Sequence, residues 1–127
     1  MNRVEGKTGE APLPVGPYSQ SIRIGKLVAA AGQAGVDPVT GLLVAPDVAS
    51  QTAQTFKNLQ AVLAASGATL NDVIRVDVYL ADMTDFSTMN EVYAEVFTPP
   101  YPARTTVGVQ LGEGLRIEIT ALAITDQ

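Results

Sequence analysis

The sequence predicts an α+β fold in which two helices cover one face of a mixed sheet, in the order β-β-α-β-α-β-β. Two segments carry apolar residues at helical spacing, and five shorter segments carry the alternating or continuous apolar pattern of strands. The chain of 127 residues is long enough to bury a core as one domain. Because helices on one face leave the other face bare, we expect the chain to associate with itself.

The N-terminal part of the chain is predicted to be a flexible arm followed by a hairpin. Residues 1–14 are polar and contain two prolines, so the single domain is expected to span 15–127. Alternating residues over 21–24 predict a strand, and Gly25-Lys26 suits a two-residue turn with glycine first. A second, more buried strand is predicted over 27–31.

The first helix is predicted over 48–66. From Thr52 to Leu63, the residues of one face recur at spacings of four, three and four, the period of an amphipathic helix. Asp47 suits the N-cap because its short side chain can accept from the free N–H groups of the first turn. Gly67 is the expected left-handed residue that ends the helix.

A strand and a second helix are predicted next. Alternation predicts the strand over 73–80, with Ile74 on its apolar side. An apolar stripe predicts the helix over 85–97, and either Thr84 or Asp85 is expected to cap it.

The C-terminal part of the chain is predicted to be a second hairpin. Strands are expected over 105–110 and 115–124. The segment between them, 111–114, has two glycines and the length of a hairpin loop. These two strands are therefore expected to pair with each other.

The composition removes several kinds of chemistry. The chain has no cysteine and no histidine, which excludes disulfides, cysteine nucleophiles and a Ser-His-Asp triad and removes the commonest metal ligands. The formal net charge is −5 and the eight Lys and Arg residues are scattered, so nucleic acid is not an expected partner. Since the chain has neither a membrane-spanning apolar run nor an N-terminal signal core, we expect a cytoplasmic protein with no membrane partner.

Arg104 and Glu118 are the two candidate functional charges. Arg104 follows a proline-rich segment and opens a strand, where a rigidly placed guanidinium suits bidentate binding of a carboxylate. Glu118 lies within a strand, where carboxylates are unusual, and burial at a subunit contact would raise its pKa and suit it to act as a base. Each has a structural alternative, namely a surface ion pair for Arg104 and a cross-strand pair with Arg or Lys for Glu118.

Three further residues could line a site. Tyr18 follows a rigid Gly16-Pro17 turn and either contacts a ligand or is simply half-buried. Gly32 ends a buried strand, where a ligand could approach its amide, or forms a turn. Asn90 borders the apolar stripe of the second helix, where a hydrogen-bonded structural role is the simpler interpretation.

A series of short motifs gives the chain a resemblance to the RidA/YjgF family of enamine/imine deaminases. Each motif is weak alone, and their shared order and spacing between residues 16 and 124 carry the resemblance. The matching segments are GPYSQ (16–20), Gly32-Gln33, DPVTG (37–41), Gln51-Thr52, Asn58-Leu59, MNEVY (89–93), PARTTV (102–107) and IEITALA (117–123).

The resemblance implies an assembly and a site. Family members are homotrimers of chorismate-mutase-like architecture with active sites between the subunits. By motif position, Arg104 is implied to bind the substrate carboxylate and Glu118 to position the attacking water. Tyr18 corresponds to the aromatic residue of the family site, Gly32 to the glycine whose amide holds the substrate, and Asn90 to a supporting asparagine.

The chain departs from the family pattern at a few positions. Family members often read Ser-Gly-Gln followed by Ile-Pro, whereas this chain has Ala31 before the glycine and Ala34-Gly35 after the glutamine. Thr106 stands where some members have a cysteine, and it is included among the predicted substrate-binding residues. These changes leave Arg104 and Glu118 in place and bear on the preferred substrate side chain.

The reaction implied by the resemblance is hydrolytic deamination of small 2-enamino and 2-imino acids, such as 2-aminoacrylate and 2-iminobutanoate, to 2-keto acids and ammonia. This reaction requires no metal and no organic cofactor. Three alternatives stay open: a non-catalytic binder of small keto acids, a deaminase of a larger enamine, and an RNA-cleaving translation inhibitor. The net charge of −5 and the absence of histidine argue against the last of these.

Overall fold

The computed structural model describes residues 2–127, which form a six-stranded sheet with two helices packed against it. The sheet order is β1-β2-β3-β6-β4-β5, and within the described chain all neighbours are antiparallel except β4 and β5. The mixed α+β fold predicted from the sequence is confirmed. The elements are β1 (Val4–Gly6), β2 (Ser21–Ile24), β3 (Leu27–Gln33), α1 (Val48–Ala64), β4 (Val73–Leu80), α2 (Phe86–Val96), β5 (Ala103–Gly108) and β6 (Ile117–Ile124).

The hydrophobic core lies between the helices and one face of the sheet. In β6, Ile117 and Ile119 are fully buried, whereas Glu118 and Thr120 project from the other face. Helix α1 packs against β3, β6 and α2, so both helices contribute to the same layer. The alternation in the sequence therefore correctly separates the two faces of the central strand.

The predicted hairpin between the two C-terminal strands is wrong. β5 pairs with β4 in parallel, and β6 lies between β3 and β4, antiparallel to both. The chain leaves β4 through α2, and such a crossover returns the next strand parallel to the first. β6 then occupies the centre of the sheet, where its apolar residues are buried by α1.

The N-terminal segment contains a strand that the sequence analysis missed. β1 pairs antiparallel with β2, and Ala11 is buried. The buried Gln20 side chain accepts from the Thr8 N–H at 2.8 Å and donates to the Pro12 carbonyl at 2.9 Å. These bonds dock the segment that we expected to be a flexible arm, and a strand of three residues is too short to show alternation. The boundary at residue 15 stays a prediction.

Local signals correctly predicted the N-cap of α1, the left-handed glycine that follows the helix, and the first turn. Asp47 Oδ2 accepts from the Ser50 N–H at 2.8 Å, and this hydrogen bond lowers the pKa of Asp47 below its usual 3.8. At the other end, Gly67 adopts φ +83° and donates to the carbonyl of Ala64, so the helix ends two residues before the predicted end. Gly25, with φ +57°, opens the two-residue turn between β2 and β3.

Asp85, one of the two residues predicted to cap α2, occupies its N-cap position, but its side chain makes no capping hydrogen bond. Asp82 Oδ1 accepts from the Thr84 N–H at 2.9 Å, at the start of a short 3₁₀ turn that leads into α2. Asp85 instead pairs with Arg116, with 2.9 Å between Oδ2 and the guanidinium. Asp85 is therefore engaged by a contact that the local sequence does not encode.

Strand β4 has the predicted bounds, but Ile74 does not lie on its apolar side. The register with β6 shifts between Val73 and Arg75, and this bulge leaves Ile74 exposed. A bulge depends on the partner strand, which explains why alternation within β4 alone does not predict it.

The sheet face opposite the helices is uncovered in the described chain. Leu27 and Ile124 are paired there and are 44% and 48% exposed, and Val107 is 39% exposed on the same face. An exposed apolar face of this kind usually marks a site of protein association. No helix within residues 2–127 is long and apolar enough to cross a membrane.

Candidate functional site

Arg104 projects from β5 toward the helix layer. The strand begins directly after the proline-rich segment, and its register places Arg104 opposite the buried Val76. The Arg104 Cζ lies 4.7 Å from the ring centre of Tyr93 and 5.6 Å from that of Phe86. Across residues 2–127 the guanidinium has neither an acidic partner nor a hydrogen-bond acceptor. The interpretation of Arg104 as half of a surface ion pair is therefore wrong.

A cavity of about 310 Å³ opens beside Arg104. Asn90, which we expected to be hydrogen-bonded within the fold, has no side-chain partner in the described part of the chain. Its amide is therefore available to a ligand in the cavity. Apolar walls with one guanidinium and one amide suit a small organic anion. The lining residues are Asn90, Tyr93, Ala94, Tyr101, Pro102 and Arg104.

Tyr93 forms the floor beneath Arg104 and belongs to an aromatic cluster. Its ring centre lies 5.8 Å from that of Phe56 and 4.9 Å from that of Phe97. Burial raises the pKa of Tyr93, and the nearby Arg104 charge opposes this only in part, so the phenol is neutral at ordinary pH. Tyr93 lies within the helix predicted over 85–97, and its contact with Arg104 was not predicted from the sequence.

Glu118 projects from β6 on the uncovered face of the sheet. Its neighbour on β4 is Tyr79, and on its other side lies the irregular part of β3 around Gly32. A Cβ atom on Gly32 would lie 2.6 Å from Glu118 Oε2, so only glycine lets the carboxylate come this close to the backbone. Within residues 2–127, Glu118 pairs with no Lys or Arg, which rules out the cross-strand ion pair. Gly32 lies within β3 and not in a turn.

The two candidate charges lie on opposite faces of the sheet. Register pairs Arg104 with Val76 on the helix-covered face and Glu118 with Tyr79 on the uncovered face. A single chain therefore does not bring the guanidinium and the carboxylate to one substrate. Arg104 and Thr106 project from β5 toward the helices, and Asn90 of α2 lines the cavity together with Arg104. Glu118 and Gly32 lie next to each other, away from this cavity.

Thr106 and Tyr18 stand apart from the cavity wall. Thr106 shares its side of β5 with Arg104, and its Oγ1 is buried without a hydrogen-bond partner in the described chain. Tyr18 is 50% exposed, and its phenol oxygen accepts from the Val15 N–H at 3.4 Å within its own loop. One chain thus leaves the ring of Tyr18 open to a neighbouring molecule.

Two other motif residues have structural roles. The buried Gln51 side chain donates to the carbonyl of Gly114 at 3.1 Å, in the loop before β6. The buried Asn58 side chain donates to the carbonyl of Ala34 at 3.0 Å, just after β3. These bonds fix the loops that flank the strands carrying Gly32 and Glu118.

Comparison with known proteins shows which family the chain belongs to. The family model described as Endoribonuclease L-PSP matches residues 8–125. A RutC family protein of Pyrococcus horikoshii is 51% identical over 117 residues, which cover 91% of this chain and 93% of that protein. The Homo sapiens 2-iminobutanoate/2-iminopropanoate deaminase is 42% identical over 118 residues, which cover 92% of this chain and 86% of that protein.

Solved structures share the whole fold. RidA from an Antarctic Psychrobacter species matches with a TM-score of 0.92 at 38% identity, over 96% of this chain and 99% of that chain. E. coli TdcF with bound serine matches with a TM-score of 0.91 at 36% identity, over 97% of this chain and 99% of that chain. The chain therefore belongs to the Endoribonuclease L-PSP family, which includes RidA and which its motifs resemble.

Proposed function

We propose that the protein hydrolyses small 2-enamino and 2-imino acids, such as 2-aminoacrylate and 2-iminobutanoate, to 2-keto acids and ammonia. The observation that carries this proposal is the Arg104 guanidinium, which has no partner within residues 2–127 and borders a cavity of about 310 Å³. Relatives named 2-iminobutanoate/2-iminopropanoate deaminase support the substrate class. E. coli TdcF with bound serine supports a small ligand that carries a carboxylate.

Arg104 binds the substrate carboxylate through two parallel hydrogen bonds, the geometry that a guanidinium offers to a planar anion. The amide of Gly32, from the neighbouring copy that supplies Glu118, donates beside it, and Asn90 adds a polar contact from the cavity wall. This binding fixes C2 of the substrate in one place, and positioning of this kind can supply a large part of a rate enhancement.

Glu118 positions the attacking water and moves its proton. As the water oxygen bonds to C2, Glu118 accepts a proton and the π electrons of the C=N bond move to nitrogen. The proton then passes to nitrogen. As the C–N bond breaks, the hydroxyl on C2 gives its proton to Glu118 and the C=O bond forms, so a 2-keto acid and ammonia leave and the ammonia takes this last proton. Enamine substrates first tautomerise to the imine. A protonated imine is already electrophilic, so the reaction needs no cofactor, and acid–base catalysis contributes about 10²–10⁴-fold.

Each complete site is shared between copies of the chain. Arg104 and Glu118 of one chain lie on opposite sheet faces, so the proposed site combines Arg104 of one copy with Glu118 of the next. Tyr18 of a neighbouring copy packs over the substrate. The uncovered apolar face supports association, and a homotrimer is the proposed assembly.

A coupled assay tests the activity. Threonine dehydratase generates 2-iminobutanoate in the presence of semicarbazide, which traps the imine as a semicarbazone. The wild-type protein is expected to divert imine from the trap, whereas Arg104→Ala is expected to lose this effect and keep its assembly. Arg3→Ala removes an exposed arginine outside the cavity and should behave as wild type. Unchanged turnover in Arg104→Ala would show that the site is misassigned.

A second variant tests the role of Glu118. Glu118→Gln keeps the size of the side chain but cannot accept the proton. We expect it to bind 2-ketobutanoate normally and to hydrolyse imine at least about 10²-fold more slowly. Loss of binding together with a normal rate would contradict the water-positioning role.

The same assays separate the alternative functions. Binding of 2-ketobutanoate without turnover would favour a non-catalytic keto-acid binder. Turnover restricted to bulkier imines would favour a deaminase of larger enamines. RNA binding that falls steeply with salt would favour the RNA-cleaving alternative.

A further inference from the structure

The guanidinium of Arg104 packs on an aromatic ring. A half-buried arginine is more often paired with the carboxylate of Asp or Glu. The Cζ of Arg104 lies 4.7 Å from the ring centre of Tyr93, well within the range of a cation–π contact, and Phe86 flanks it at 5.6 Å. Within residues 2–127 no carboxylate approaches it. Of the two rings that contact the half-buried Arg104 in the described chain, Tyr93 is the nearer.

An aromatic partner leaves the N–H donors of Arg104 free, whereas an acidic partner would occupy them. A carboxylate partner would occupy the N–H donors of Arg104 and neutralise its charge, so a substrate would have to displace it. A ring attracts the cation through its quadrupole and accepts none of the hydrogen bonds that a carboxylate would take. The charge and the donors of Arg104 are thus left for an incoming anion.

Tyr93 is itself fixed in place. It is only 5% exposed, and its ring packs edge to face on Phe56 and tilted on Phe97. Its hydroxyl is buried without a partner in the described chain, so the ring and not the hydroxyl accounts for the contact with Arg104.

We propose that Tyr93 is a positioning residue for the carboxylate clamp, its ring holding the Arg104 guanidinium toward the cavity with its donors free. This role rests on the proposed function, in which Arg104 binds the substrate carboxylate. Tyr93 acts through Arg104 and does not touch the reacting atoms.

Variants at position 93 separate the ring from the hydroxyl. Tyr93→Phe keeps the ring and is expected to bind 2-ketobutanoate within about twofold of wild type. Tyr93→Leu removes the ring and is expected to weaken binding by about threefold to thirtyfold, with KM raised to the same extent and kcat largely kept. Affinity is measured by calorimetry and KM and kcat by the coupled assay. Unchanged affinity in Tyr93→Leu would overturn the proposal.

Phe97→Leu is the matched control. Phe97 packs on Tyr93 in the same cluster and is not one of the rings that contact Arg104. We expect it to lower the thermal midpoint as Tyr93→Leu does and to leave the affinity for 2-ketobutanoate near that of wild type. Equal loss of affinity in Phe97→Leu and Tyr93→Leu would indicate a merely structural role and would overturn the proposal.

A series of fluorinated side chains at position 93 tests whether the electrostatic attraction between the ring and Arg104 matters. These side chains leave no packing defect, so the test applies even if Tyr93→Leu does not fold. Ring-fluorinated phenylalanines at position 93 keep the shape of the ring and progressively weaken its quadrupole. Affinity for 2-ketobutanoate should fall step by step with fluorination, and a flat series would overturn the proposal. Arg104→Ala separates the proposed function from the proposed role of Tyr93. Normal binding of 2-ketobutanoate by Arg104→Ala would refute Arg104 as the carboxylate-binding residue. Lost binding by Arg104→Ala, together with an affinity that does not change across the fluorinated series, would refute only the role of Tyr93.

Discussion

At Gly32, the missing side chain leaves room for the carboxylate of Glu118. A Cβ atom at this position would lie 2.6 Å from Oε2 and 3.0 Å from Cδ, so any other residue would push the carboxylate away. The backbone of Gly32 does not have a positive φ, so an alanine meets no conformational strain there. Substitution at Gly32 therefore moves a functional group while it leaves the fold nearly unchanged.

We predict that Gly32→Ala lowers kcat for 2-iminobutanoate on the order of tenfold to a hundredfold, because Glu118 can no longer hold the water in line. The thermal midpoint should stay close to wild type, since the displaced atoms lie at the end of a flexible side chain. Gly9→Ala is the control, because a Cβ at Gly9 would meet no atom within 4 Å. A wild-type kcat in Gly32→Ala would contradict this account.

At the residue scale, the sequence predicts the candidate charged residues of the site but not the side chains that contact them. Glu118 stands out because carboxylates are unusual within a strand, and Arg104 stands out because a proline-rich segment precedes it at the start of a strand. The contact of Arg104 with Tyr93 depends on how α2 packs over β5, which no local pattern encodes. Asn90 was assigned a structural hydrogen bond for the same reason, since its surroundings are set by tertiary packing.

At the scale of elements, features that depend on neighbouring residues are predicted from the sequence, whereas features that depend on distant contacts are not. The N-cap at Asp47 and the glycine at the end of α1 are local, and both were correctly predicted. Strand order is not local, because β5 and β6 are neighbours in the sequence and are separated in the sheet by β4. A short glycine-containing connection therefore indicates a turn but does not determine which strands pair.

The N-cap of α1 gives a prediction with a defined pH dependence. Asp47→Ala should lower the thermal midpoint at pH 7 by about 2–8 °C, because the cap to Ser50 is lost. Folding lowers the pKa of Asp47, chiefly through the Ser50 backbone hydrogen bond, so its contribution is present above pH 3.8 and is lost as the pH falls through the lower folded-state value.

Melting curves recorded at pH 7 and at progressively lower pH check this prediction. The gap between wild type and Asp47→Ala should close on acidification, and an equal gap throughout would show that the carboxylate charge plays no part. Asp126→Ala is the matched control, because its side chain is exposed and makes no hydrogen bond in the described chain. It should melt with wild type at each pH.

At the scale of the whole molecule, the sheet separates the two charges on which the proposed reaction depends. Arg104 faces the helices, whereas Glu118 faces the uncovered side, where apolar residues such as Leu27 are also exposed. Association through such a face removes apolar surface from water, which favours assembly. One assembly step would thus cover the bare face and complete the site.

Mixing two inactive variants tests this shared site directly. Arg104→Ala and Glu118→Gln chains, refolded together in equal amounts, should recover about one quarter of wild-type activity, since a random homo-oligomer pairs an intact Arg104 with an intact neighbouring Glu118 at that frequency. Each variant refolded alone should stay inactive, and refolded wild type sets the scale. If oligomers shown by mass spectrometry to contain both chains stay inactive, both residues must come from one chain and the shared site is wrong.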